Sequence, residues 1–349
     1  MKLTRLTLSN TERISLISTL STMLSAGIPI LEAVDSLLED SRGHTKIVLE
    51  TLRGDLVQGK QIYTSLTKFP RIFGKVTVNL VKAAEQAGTL DTTLKDIKES
   101  IRREIEFTDK IKSSLIYPVL ILFVFFGVLL MILVIVIPRI SQVFSNLRVK
   151  LPLPTRIMIF LSNLLLDYTI FIAIGVVVFA ILVVVLYRSK KELLFAPLFK
   201  LPLISRLVKE IDLTRFSRNL YLLLVSGLPI TSALELSQEV VVRRETSKII
   251  AHAKETVITG KKFSEGLRAG KGYIPTIMIK LIEAGEKSGT LDKSMQEVGE
   301  YMDYQVSNSL KTITILLEPV MLVFVGVFIG GMIMAIIAPI YNLIGQIGR

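Results

Sequence analysis

The 349-residue sequence carries one pattern twice. Ala26-Gly27-Ile28-Pro29-Ile30 returns as Ser226-Gly227-Leu228-Pro229-Ile230, and Gly59-Lys60-Gln61-Ile62 as Gly260-Lys261-Lys262-Phe263. Ala84-Glu85-Gln86-Ala87-Gly88-Thr89-Leu90-Asp91 returns as Gly285-Glu286-Lys287-Ser288-Gly289-Thr290-Leu291-Asp292. All offsets are 200 or 201, so the chain holds two copies of one structural unit.

Each copy reads as helical. After the Gly-Thr-Leu-Asp block, Leu90, Leu94, Ile97, Ile101 and Ile105 form an apolar stripe at helical spacing, and Leu291, Met295, Val298, Met302 and Val306 repeat it. In the first copy the pattern predicts helices at about 10–26, 29–40, 45–57, 61–67, 75–86 and from 89 onward. Ser9-Asn10-Thr11-Glu12 has the spacing of a capping box, so the N-terminal stretch reads as a soluble helix and not as a signal peptide. Gly27 closes one helix and Pro29 opens the next. Gly88 closes another, with Thr89 as the following N-cap and Asp91 in that helix's positively polarised first turn.

The helices that follow the repeated blocks run into apolar sequence. Residues 113–138 hold no charge, nor do 168–187, and after Lys311 only Glu318 interrupts the chain before Arg349. A bilayer-crossing helix needs about 20 apolar residues, so three spans are expected. Pro118 and Pro319 stand at equivalent places near the start of the first and third, while the second has no repeat partner. An odd return span lets two parallel copies lie on the same side of the membrane, unlike the inverted repeats of many transporters. The span flanks carry nine Lys and Arg on the side of the copies and five on the other, which assigns the copies to the cytoplasm. The formal charge of +12 divides accordingly. Residues 1–114 hold 17 bases and 14 acids, 188–312 hold 20 and 14, and the loop 138–168 holds four and one.

Little in the sequence suggests catalysis. There is no Cys, and the two histidines, His44 and His252, are far apart, which argues against thiol chemistry, iron–sulfur clusters and a His-rich metal centre. Gly54 to Lys60 has P-loop glycine and lysine spacing, but Gln61 replaces the magnesium-binding hydroxyl and Glu255 stands where the second copy needs its first glycine. The repeated acids Glu85, Glu286, Asp91 and Asp292 read either as a docking or cation-binding surface or as helix-end electrostatics. Glu318 reads as a functional intramembrane acid or as an interfacial one. Gly326 and Gly330 form a small-xxx-small pair suited to close helix packing within the chain or between subunits. The basic stretch from Arg188 to Lys191 reads as a membrane-surface anchor, and no direct nucleic-acid binding is expected.

The Gly-x-Pro block, Glu-x-x-Gly-Thr-Leu in both copies, the span-opening prolines and the connector Leu201-Pro202-Leu203-Ile204 together resemble the type II secretion system F protein and type IV pilus inner-membrane platform family. The short segment before Ser9 is similar to the competence-pilus platforms of Gram-positive bacteria. The resemblance covers nearly the whole chain. It implies an all-α, multi-pass protein of the bacterial inner (cytoplasmic) membrane, with two homologous cytoplasmic six-helix bundles and three transmembrane helices. The expected layout is a first bundle at 1–114, spans at 115–137, 168–187 and 313–341, an outer loop at 138–167, a juxtamembrane linker at 188–210, a second bundle at 211–312 and an outer tail at 342–349. The N-terminus is then cytoplasmic and the C-terminus outside. The resemblance further implies a non-enzymatic, cofactor-free homo-oligomer that couples a hexameric assembly ATPase to extraction and polymerisation of pilins or pseudopilins, beside other inner-membrane components and the lipid bilayer. A small-solute transporter subunit is the alternative, weakened by Glu318 being the single ionisable residue in these spans.

Overall fold

The structure, a computed structural model, describes residues 3–146, 153–168, 170–171, 174–175, 178 and 202–347. After a 3-10 turn at Leu3–Arg5, the first copy forms α1 (Asn10–Ser25), α2 (Ile30–Asp40), α3 (Gly43–Val57), α4 (Ile62–Leu66), α5 (Lys75–Ala87) and α6 (Leu90–Met131). A π-helical segment at Ile132–Val136 leads to α7 (Ile137–Asn146) and α8 (Leu153–Asp167). The second copy forms α9 (Pro202–Val225), α10 (Ile230–Gln238), α11 (Arg244–Ile258), α12 (Phe263–Arg268), α13 (Thr276–Ser288) and α14 (Leu291–Ile347). Every segment expected to be helical in the first copy holds a helix. Among the described residues the only β pairing is an isolated bridge between Lys271 and Ile274.

Local chemistry accounts for the helix ends. The capping box closes as expected: the Ser9 N–H donates to Glu12 Oε2 at 2.8 Å and the Glu12 N–H donates to Ser9 Oγ at 3.2 Å. The Ser9 hydroxyl, which also donates to Glu12 Oε2 at 2.7 Å, and then the Ser9 N–H hold the exposed Glu12 carboxyl below its ordinary value. Pro29 and Pro229 are the N-caps of α2 and α10, one position earlier than a first-turn proline. At Gly27 and Gly227 the backbone turns left-handed, φ 81° and 78°, which side chains oppose and glycine permits. The stripes behave as their spacing requires. Leu94, Ile97 and Ile101 of α6, and Met295, Val298, Met302 and Val306 of α14, are buried.

The described residues divide into two compact units. One holds the chain up to Lys110 and from Arg206 to Ser307; the other holds Ile111 to Ser205 and the chain from Asn308 onward. Both copies therefore belong to the first unit, where a single apolar core includes Leu49, Leu80 and Ile97 of the first copy and Phe216, Leu234 and Met302 of the second. Two bundles were expected, with nothing in either copy to indicate that they share a core.

The helices at Leu90–Gln142 and Leu291–Gly331, which start in the first unit and whose apolar stretches belong to the other, are long and apolar enough to cross a membrane, and little of either apolar stretch is buried by the chain itself. Phe123 is 79% exposed and Val327 72%, which a core helix of a soluble protein would not tolerate. The expected second span, apart from a few of its residues, and the basic anchor from Arg188 to Lys191 lie outside the described residues. Residues 138–146 and 153–167 of the expected outer loop are helical, as are 202–210 of the expected linker, which form the opening turns of α9.

Candidate functional site

The repeated blocks come together in three dimensions around two short helices. The Glu85 carboxylate, on α5, accepts from the N–H groups of Ile62 at 2.7 Å and Tyr63 at 3.4 Å, at the start of α4. Glu286 on α13 repeats this at α12, accepting from Phe263 at 2.5 Å and Ser264 at 3.2 Å. The first N–H groups of a helix have no acceptor within it, and a negative group there also meets the positive end of the helix dipole. Neither α4 nor α12 has a side-chain cap from its own N-cap residue, Gln61 or Lys262. The acid from the neighbouring helix supplies the missing acceptor.

The rest of the block fixes where that acid stands. Gly88 and Gly289 end α5 and α13 in the left-handed region, φ 70° and 71°. The N–H of Thr89 donates to Ala84 O and that of Thr290 to Gly285 O, both at 2.9 Å, and the chain turns into α6 and α14 with Asp91 and Asp292 in their first turns. The repeated glutamates, glycines and threonines thus form one turn-and-cap device used twice. Among the described residues no group of three or more His, Cys, Asp or Glu is arranged to hold a metal.

The copies differ in one polar cluster. Asp55, buried on α3, accepts from Ser65 Oγ at 2.7 Å, from Lys60 Nζ at 3.0 Å and from Lys68 Nζ. Lys68 above all, then Ser65, holds its carboxyl far below the usual carboxylate range, against the opposing effect of burial. The P-loop-like spacing is accounted for here. Gly54 to Val57 are helical, and the lysine that would reach a phosphate is bonded to Asp55. In the second copy the equivalents of Asp55 and Ser65 are Thr256 and Gly266, and a Cβ on Gly266 would lie 2.6 Å from Ala253 Cα. Close helix contact replaces the charges.

Asp212 was not singled out by sequence. It lies on α9, 1% exposed, and accepts from the N–H groups of Val242 at 2.9 Å and Arg243 at 2.7 Å just before α11. Burial pushes its carboxyl up, with the two backbone bonds and the nearby arginines pulling the other way. Thr246 hydrogen-bonds the Tyr273 hydroxyl at 2.7 Å, and the Arg243 guanidinium lies over the Tyr273 ring. An acid among apolar helical neighbours was the only available signal, and its acceptor role depends on a turn 30 residues away.

Charges join the copies to one another. Asp303 on α14 pairs with Arg218 of α9 at 3.2 Å and with Lys110 of α6 at 3.4 Å. Arg215 pairs with Glu104 at 3.0 Å, and Lys75 with Glu239 at 2.7 Å. The Arg218 guanidinium also lies 4.9 Å from the centre of the Phe107 ring. None of these residues falls in a repeated block, so self-comparison passes over them.

Within the second unit Pro118 is buried, whereas Pro319 and Glu318 are exposed. Gly326 and Gly330 have no heavy atom within 4 Å of an added Cβ, so neither supports helix packing inside the described chain. The spans meet through aromatics instead, with Phe125 edge-on to Phe324 at 5.6 Å and to Phe328 at 6.3 Å. In the π segment, Leu133 O accepts from the buried Ser162 Oγ of α8 at 2.6 Å.

Comparison with known proteins follows the repeat. The family model of the type II secretion system (T2SS) protein F matches twice, over residues 16–138 and 216–339. The type IV pilus assembly protein PilC of Thermus thermophilus is 29% identical over 336 residues, covering 94% of this chain and 81% of the relative. PilC of Myxococcus xanthus is 26% identical over 335 residues, covering 94% and 79%. The type II secretion system protein F of Pseudomonas aeruginosa is 28% identical over 338 residues, covering 94% and 82%.

Proposed function

Because the chain belongs to the type II secretion system protein F family, we propose that it is the platform of a type IV pilus or type II secretion machine, coupling a cytoplasmic assembly ATPase to extraction and polymerisation of pilins or pseudopilins. It is an inner-membrane protein, as its relatives and its two apolar helices indicate. The observation that carries the coupling is the continuity of α6 and α14. Each begins at a repeated Gly-Thr-Leu-Asp turn at the edge of the shared core, against which Leu90 and Leu291 pack, and runs on as one helix into apolar sequence. A partner that moves the two-copy unit can thus act on two spans.

We infer that residues 168–187 return the chain across the bilayer as a third span, with both copies cytoplasmic and the C-terminus outside. The excess of Lys and Arg on the flanks nearest the copies supports this orientation. The free faces of Gly326 and Gly330 favour association between subunits. The role needs no chemistry of its own and no cofactor. Transport of a small solute is disfavoured by Glu318 being the one ionisable group among the residues read as spans.

The test is purification of the full chain from membranes of its own host. Recovery of the cognate assembly ATPase, with loss of pili or secretion on deletion, is the expected result. Loss of pili with no ATPase contact by co-purification or crosslinking contradicts the coupling, and solute flux in proteoliposomes of this protein alone revives transport.

A further inference from the structure

The residues read as spans hold one ionisable group, Glu318, and its depth follows from the packing of α6 on α14. The first span is uncharged over residues 113–138, and the middle of that run falls at Phe125 and Phe126. Phe125 touches Phe324 and Phe328 of the third span. These two bracket Gly326, the repeat equivalent of Phe125, so the two spans lie level. Glu318 precedes Gly326 by eight residues. At a rise of about 1.5 Å per residue it stands about 12 Å from the middle, towards the Lys311 end. Hydrocarbon extends about 15 Å either way, so Glu318 lies just inside its boundary, on the cytoplasmic side in the orientation proposed above.

No counter-charge meets it there. Glu318 is exposed, and among the described residues it has neither a hydrogen bond nor an ion pair. Residues 168–187 contain no base, so the second span has none to supply. Molecules of one membrane protein inserted the same way keep each residue at the same depth. A second molecule of this chain therefore brings Tyr117 and another Glu318 to this layer, while its nearest bases, Lys112 and Lys311, start about 7 and 10 Å closer to the cytoplasm. Anionic lipids of the cytoplasmic leaflet repel a carboxylate. Lys and Arg, by contrast, gather at the cytoplasmic ends of membrane segments in general, which is the level where this acid stands. On the same face, at i−3, i+4 and i+11, are Ile315, Leu322 and Ile329, 57%, 68% and 42% exposed. The face is an apolar strip with one negative charge near its cytoplasmic end.

We propose that this face of α14 receives the transmembrane segment of a different protein, whose positive charge at its cytoplasmic end pairs with Glu318 and whose apolar length lies along Leu322 and Ile329. The inference rests on the platform reading and names a contact of the machine's membrane-embedded cargo, a pilin or pseudopilin. Inside the hydrocarbon boundary water screens little, so the charge selects: a neutral segment of the same shape leaves Glu318 unpaired. Tyr117 takes the equivalent place on α6, so one of the two repeated helices carries the charge and the other does not.

The test is site-specific photocrosslinking of the full chain in its own host, read by immunoblotting for the major pilin or pseudopilin. The photocrosslinker p-benzoyl-phenylalanine replaces Leu322 or, on the opposite face, the equally exposed Val327. Position 322 should give the adduct and position 327 should not. Glu318→Gln should lower the adduct at 322 about fivefold or more. Glu318→Asp should keep most of it and Glu318→Lys should abolish it. Exchanging the base at the cytoplasmic end of the cargo segment for Glu should restore the adduct to Glu318→Lys. Equal adduct in wild type and Glu318→Gln, at equal amounts of membrane-inserted chain, overturns the proposal. So does an adduct only with a second molecule of this chain, which assigns the face to self-association, or the absence of any protein adduct, which leaves it to lipid. These failures are distinct from failure of the platform reading, in which deletion of the chain leaves pili and secretion intact.

Discussion

Glu85 and Glu286 each satisfy two backbone N–H groups of a helix too short to cap itself. Replacing either by Ala leaves those donors without an acceptor and should cost about 1–2 kcal/mol. The local reading is amide exchange, which should quicken at Ile62 and Tyr63 in Glu85→Ala and at Phe263 and Ser264 in Glu286→Ala; unchanged exchange contradicts the capping role. Asp55 makes a pH prediction. Its folded carboxyl is held low by Lys68, Ser65 and Lys60, so the folded state keeps it ionised where the unfolded chain would protonate it. Its stabilisation is present above the unfolded value of about 4 and declines as pH falls below that towards the folded value. Thermal midpoints of wild type and Asp55→Asn should differ at neutral pH and converge in acid. A gap that stays constant down to about pH 3 contradicts the assignment.

Among the elements, the π segment at Ile132–Val136 carries the sharpest expectation. A π turn widens the helix by one residue per hydrogen-bonded ring and is often a place where a side chain from elsewhere enters the ladder. Ser162 does so here, donating to Leu133 O from a fully buried position. Ser162→Ala removes the donor and should cost about 1–2 kcal/mol, seen as a lower unfolding midpoint in detergent; Ser162→Thr, which keeps the hydroxyl, should lose less. Most of the elements were legible in the sequence because their signals are local. The Ser9–Glu12 box, the glycines at positive φ and the stripe from Leu90 to Ile105 each depend on residues within a few turns. What escaped was set by distance. The acceptor role of Glu85 involves a helix 23 residues away and that of Asp212 a turn 30 residues away, and no spacing rule reaches so far. The helices within residues 138–167 escaped because an amphipathic stretch beside an apolar run reads equally as helix or connector.

On the scale of the whole molecule, the repeat announced two copies, but the residues that join them lie outside the repeated blocks. Asp303 is the hub, since it takes Lys110 from the first copy and Arg218 from its own. Partly exposed pairs of this kind contribute up to about 1 kcal/mol each. In a double-mutant cycle on unfolding, Lys110→Met and Asp303→Asn should be less than additive, while either combined with the distant Lys46→Gln should be additive. Additivity in the first cycle would remove Asp303 from the junction.

The central claim is that both copies lie on the cytoplasmic side, joined in one unit and separated in sequence by two spans, the second of which returns the chain. The chain contains no Cys, so single cysteines report their own location. Gln58→Cys and Thr259→Cys are equivalent exposed positions of the two copies, and Asn163→Cys is an exposed position on α8. With a membrane-impermeant maleimide on intact spheroplasts or protoplasts, Asn163→Cys should label, whereas Gln58→Cys and Thr259→Cys should label only after permeabilisation. Labelling of one copy but not the other in intact cells would contradict the account, because it puts the two copies on opposite sides of the membrane.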